Sequence, residues 1–415
     1  MRRTGPAIGG AVSLMAFMLL AAPGASAHSA RLTGSTLHGT LTWNGAPMRA
    51  PARSAIKGMS LTASHVKRTP RQLAAERAAG TTVPTFSATV EAGQNSQDYT
   101  FTMLGANPTN SNTTTTVQAQ IIPVTVTFAG TGDVYSPLTT NTACGQTQSS
   151  LTGELNSPEF KIRKWYAGKT YVGNDQYTDA QMREEWWDWT NPKAVSPNWH
   201  LRLAASVPIG YDLTVSGFPE TDPGTCFELG EIDYTTWDNY FENTVMPALA
   251  SDGVSPATFP IFLVNNVVLT NPVKGGGLSC CIFGYHSSYD NPAYATNTQT
   301  YAFTDYITDD EFGGTTDIAG SSHEIAEWAN DPYGNNPVPS WGHTGQDPNS
   351  CQGNLEVGDP LTGNVFAVEP ETPGGFTYHL QELAFFGWFY DFNSGVNGWY
   401  STRGSFTTGA TICTS

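Results

Sequence analysis

The alternation of apolar and polar positions divides the chain into a strand-rich entry and a longer mixed body. Asp98-Tyr99-Thr100-Phe101-Thr102-Met103 alternates with period two. Asn107 to Asn112 breaks the pattern, and Thr116 to Phe128 resumes it as one or two β-branched strands. Tyr177 to Trp189 reads as a helix carrying Trp186, Trp187 and Trp189 and ending at Asn191-Pro192. Strands are expected at Leu201 to Val207, Phe259 to Leu269, Cys280 to His286 and Tyr301 to Ile307, with a helix at Thr235 to Leu249. This mixture predicts an α+β domain, a mixed twisted sheet packed on helices, with a β-rich entry at 91–150 and a main body at 151–415. Beyond Asp331-Pro332 the chain reads as loop-rich until the aromatic stretch Leu383 to Phe392.

One helical pattern carries chemistry. In Gly320-Ser321-Ser322-His323-Glu324-Ile325-Ala326-Glu327-Trp328, a rotation of about 100° per residue places His323 and Glu327 roughly 40° apart on one face, with Glu324 beside them. This is the spacing of a zinc helix in which the second His is replaced by Glu, and carboxylate oxygen is an accepted zinc ligand. Glu324 is then the candidate general base for the attacking water. Ser321-x-x-Glu324 also fits a capping box. Thr315-Thr316-Asp317 offers an earlier start, which leaves Glu324 in mid-helix with no capping role.

A catalytic site of this kind needs a third protein donor. Glu356, in Asn354-Leu355-Glu356-Val357-Gly358-Asp359-Pro360, is the first choice, with Asp359 supporting the other nitrogen of His323. Asp359, Asp331, His343 and His286 are alternative ligands or supporting groups. One imidazole with two carboxylates makes a hard site, so Zn is the first expectation and Mn or Ca are credible occupants. Tyr285, Tyr333, His286 and His343 could supply electrophilic help.

The segments S-S-H-E-I-A-E-W-A-N-D-P, N-L-E-V-G-D-P and C-C-I-F-G-Y-H resemble a group of exported bacterial proteins with a zincin-like metallopeptidase pattern, over Gln97 to the C-terminus. In layout the chain is similar to the gluzincins, and that likeness implies the roles given to Glu356 and Asp359. It differs in having Glu327 in place of the second His and in a Glu356 to Asp359 spacing one residue shorter. A more distant resemblance is to plant extracellular proteins of the phosphate-induced, EXORDIUM type.

Charge and composition extend the picture. Met1-Arg2-Arg3, the apolar run Ala11 to Ala22 and Ala25-Ser26-Ala27 look like a secretory signal cut after Ala27, and no later stretch has the length of a membrane helix. The expected location is therefore extracellular or periplasmic. Six cysteines, none in C-x-x-C spacing, favour disulfides over a Cys-rich metal site, with Cys280 and Cys281 expected to reach two different partners. Residues 28–90 hold eight basic residues against the single acid Glu76, whereas everything after Val90 holds nine against 35 acidic ones. The leader reads as a low-complexity linker or solvated tail, or as a pro-segment covering an acidic catalytic face. Such acidity excludes nucleic acid and anionic membrane as natural partners.

The expectation is a secreted metal-dependent peptidase acting on protein or peptide substrates. The alternative is a non-catalytic extracellular carbohydrate- or cell-wall-binding protein with a structural or vestigial metal, using Trp186 to Trp189 as a polysaccharide platform.

Overall fold

A computed structural model describes residues 36–43, 59–64, 82–272, 278–294, 298–309, 312–342 and 351–413. Thr114–Phe128, a 15-residue strand, is the spine of a 12-stranded mixed sheet. Its first half pairs in parallel with His200–Ser206 and its last with Gly210–Ser216, while Thr258–Asn265 lies parallel on the other side. Pro123, which has no N–H to give, falls in the gap between those two successive partners. The path continues through Thr298–Tyr306, Leu278–Asp290, Val267–Pro272, Leu229–Asp233 and Glu220–Thr221. The fold is α+β.

The apolar run expected as one strand over Phe259 to Leu269 is two. Asn266, at φ 54°, breaks it into Thr258–Asn265 and Val267–Pro272, which lie on opposite sides of the pair Thr298–Tyr306 and Leu278–Asp290. Asn tolerates the left-handed region, and here its side chain exchanges hydrogen bonds with Thr308. The pair Asn265-Asn266 interrupts the apolar run at this point, a local turn signal that the single-strand expectation passed over.

Alternate residues of the central strands feed two cores. Ile121, Ile261, Leu263 and Ala302 face one that contains Ile325, Trp328 and Trp186. Ile122, Val124, Phe262, Tyr301 and Phe303 face another that contains Trp237 and Phe241. The helix Ala319–Asn330 lies in the first core with every residue buried, its Trp328 stacked on Phe259 at 3.5 Å between ring centroids. It starts after Asp317, close to the expected early cap, and Ser321 donates to Glu154 rather than capping with Glu324.

Two expectations are corrected. Residues 28–90 are more than a linker: Thr36–Thr42 pairs in parallel with Gly210–Ser216, and Met59–Ser64 with Leu278–Asp290. Thr85–Glu91 pairs with Asp98–Leu104, so the expected boundary at 90/91 falls inside a strand. Thr36–Thr42 is an edge strand with most of its side chains partly exposed, which needs little apolar periodicity because its register comes from the neighbouring strand. The signal segment 1–27 lies outside the described residues. Second, Cys280 and Cys281 pair with each other, while Cys144 joins Cys226 and Cys351 joins Cys413. Among the described residues no helix is long and apolar enough to cross a membrane.

Glu159 is fully buried, accepts from the Thr178 hydroxyl at 2.8 Å, and has no partner for its other oxygen. Burial pushes it up to about 8 against an ordinary 4.5. Between those values the folded chain holds a proton that the unfolded chain has released, so stability falls as pH rises from about 5 to 8. Glu159→Gln, which mimics the protonated form, should be more stable than the parent by a few kcal/mol at pH 8 and near equal at pH 4.5. Urea unfolding at both pH values checks this; a difference that does not change with pH would show that the carboxyl is not held protonated.

Candidate metal centre

Three parts of the fold meet at the helix Ala319–Asn330. It supplies His323, Glu324 and Glu327; the strand Leu278–Asp290 supplies His286; and the turn after Cys351–Asn354 supplies Glu356 and Asp359. Close approach depends on two glycines. A Cβ on Gly284 would lie 2.6 Å from the Glu324 side chain, and one on Gly358 would lie 2.6 Å from three atoms of the His323 ring.

The two imidazoles are held in the same manner. His323 Nδ1 is 3.0 Å from Gln381 Oε1, and the Gln381 amide nitrogen donates to the Gly358 carbonyl, so the oxygen is the acceptor and Nδ1 carries the hydrogen. Nε2 is thereby left facing Glu327 Oε1 at 2.9 Å and Asp359 Oδ1 at 3.5 Å. His286 Nε2 donates to the Asp331 carbonyl at 3.1 Å, leaving Nδ1 to face Glu324 Oε2 at 3.4 Å and Glu327 Oε2 at 3.5 Å. Glu327 thus presents one oxygen to each ring, and the Gly358 N–H donates to its Oε1.

Donor atoms of His323, Glu327 and Asp359 lie within 4.8 Å of one another, and so do those of His286, Glu327 and Glu356. Ligands around a tetrahedral ion at roughly 2.1 Å stand about 3.4 Å apart, close to several of these separations. Glu356 is fully buried; Asn354 donates to its Oε1, and its Oε2 has no hydrogen-bond partner. Such an orphaned oxygen, beside imidazole nitrogens aimed at carboxylates, fits a cation better than a closed hydrogen-bond network.

Electrostatics agree with the geometry. Burial opposes charging of His286 and His323, but the carboxylates around them outweigh it and hold both well above the ordinary histidine value. Burial raises Glu324 and Glu356. Glu327 alone is held low, because His323 and His286 overcome the effect of its burial.

The expected residues are therefore brought together in a different grouping. Asp359 approaches Nε2 of His323 and not the other nitrogen, which belongs to Gln381. Glu356 lies with His286 and Glu327 and not in the His323 triad. The Asp331 carboxylate is taken up by the Asn335 and Asn336 N–H groups, so this residue serves through its backbone carbonyl. Tyr285 points into the opposite core, donating to Asp238 at 2.9 Å, away from the centre. His343 lies outside the described residues. Gln381, in the short strand Tyr378–Gln381, was not foreseen: a lone Gln far along the chain carries no local signal. The comparisons with family models, with curated proteins and with solved structures give no match.

Gly358 has φ −80°, which alanine tolerates, so Gly358→Ala tests contact with the His323 ring and nothing else. It should cost about 1–3 kcal/mol in urea unfolding. Parental stability would mean that the ring has room to retreat.

Proposed function

We propose that the chain is an exported metal-dependent peptidase whose cation is held by His323, Glu327 and Asp359. The observation that supports this most directly is the His323 ring, fixed by Gln381 on one nitrogen and presenting the other to two carboxylates. A divalent cation there supplies a Lewis acid for the scissile carbonyl and makes the attacking water more acidic. One neutral imidazole and two carboxylates balance its charge. Glu324, adjacent to the ligands, would take the proton from the attacking water as a carboxylate, the raised proton affinity that burial gives it favouring that transfer, and pass it to the leaving amine. Gln381 sets the tautomer and aims the ring. The three disulfides are consistent with an oxidising extracellular or periplasmic location.

A second reading has its own support. His286, His323, Glu324, Glu327, Glu356 and Asp359 are at most 4 % exposed, which suits a structural cation as well as a catalytic one. An apolar groove of about 450 Å³ lies elsewhere, lined in part by Val90, Phe101, Trp186, Trp189 and Phe392. In this reading the chain is a carbohydrate- or cell-wall-binding protein. Trp186 itself is stacked on Phe386 at 4.5 Å as part of the core, so Trp189 would carry the contact.

Peptide-library cleavage abolished by a chelator, set beside polysaccharide pull-down with tryptophan quenching, separates the two. Glu324→Gln should lower kcat by roughly 10²–10⁴ while the cation stays bound. Full activity in that variant would remove Glu324 as the base. Gln381→Leu should weaken divalent-metal affinity by about 10–100-fold, read by competition with a chromophoric chelator; unchanged affinity would mean that the ring needs no support.

A further inference from the structure

The His323 triad leaves half of the Glu327 carboxylate unused, and what faces that half is built in the same way. His286 has its Nε2 hydrogen committed to a backbone carbonyl, which can only accept. Its Nδ1 therefore turns toward Glu324 Oε2 and Glu327 Oε2, with Glu356 completing a second group of donors within 4.8 Å. An imidazole nitrogen facing two carboxylate oxygens in a dry interior calls for a positive charge between them, supplied by a ring proton or, where a third donor is at hand, by a cation. The Glu356 Oε2 atom, fully buried and with no partner, is an independent sign that a ligand belongs there.

We infer that the protein holds a second divalent cation, bound by His286, Glu327 and Glu356, with Glu327 bridging it to the one at His323 and Asp359. The inference rests on the proposed metal centre at His323 and adds a distinct position to it. The donor set, one nitrogen with carboxylate oxygens, suits Zn or Mn at both positions.

The test is metal stoichiometry on the full secreted chain, stripped with a chelator, reloaded with Mn²⁺ and desalted. The expected result is two Mn per chain by elemental analysis, with the electron paramagnetic resonance spectrum of an exchange-coupled pair. His286→Ala and Glu356→Gln should each retain one Mn with the six-line signal of an isolated ion, and His323→Ala should do the same from the other side. One Mn per chain in the parent, isolated, unaffected by His286→Ala and lost in His323→Ala, overturns the second position while leaving the peptidase proposal in place. No bound Mn in the parent overturns both. Near-UV circular dichroism reports whether each variant is folded; Glu356→Gln keeps the side-chain volume, and where variants misfold the parental stoichiometry and spectrum decide.

Discussion

The constraint on which the centre depends is the carboxylate of Glu327, fully buried and shared between two imidazoles and a backbone N–H. A charge taken out of water needs close partners on every side, and here they come from three separate stretches of chain. The helix must therefore lie hard against the strand that carries His286, and the turn that carries Glu356 and Asp359 must fold back over the His323 ring. Gly284 and Gly358 permit both approaches, since a Cβ at either would occupy space already filled by Glu324 or by the imidazole.

This packing explains why a helix with three titratable side chains on consecutive turns can be buried on all sides. Its apolar residues, Ile325, Ala326, Trp328 and Ala329, belong to one core, and its polar residues meet partners rather than solvent. Ser322 accepts from the Gln381 N–H and donates to the Ala319 carbonyl, which docks the short strand that delivers Gln381. The same helix thus positions both a donor ring and the group that orients that ring. Burying these groups costs folding free energy unless every one is paired, so the arrangement is informative about charge between them.

The legible part of the molecule was the part whose signal is local. Helical spacing identified His323, Glu324 and Glu327 on one face, and period-two alternation identified Asp98–Leu104 and the long strand ending at Phe128. What the sequence hid depends on contacts between distant residues. Gln381 meets His323 across 58 positions, and His286 reaches the helix from a strand whose neighbours are set by sheet order alone. Asp359 and Glu356 were both visible as donors. Which of them faces His323 is decided by the path of the turn around Gly358, a property of the backbone that composition does not carry.

The turn bearing Glu356 and Asp359 is also the least regular of the three contributors, and a loosely held loop would scatter its donors by more than coordination tolerates. It is tied at its start. Cys351 opens the strand Cys351–Asn354 and is linked to Cys413, whose N–H donates to the Ser340 carbonyl at 2.7 Å. That strand pairs with Pro337–Gly342, and the Leu355 N–H donates to the Asn336 carbonyl just beyond it. The Asn336 N–H in turn donates to the Asp331 carboxylate at the end of the helix Ala319–Asn330. A covalent bond, a two-stranded ladder and a helix terminus thus fix the turn that bears Glu356 and Asp359. In the proposed centre, binding would not have to order the turn, which is the physical advantage of groups that are buried and mutually supporting.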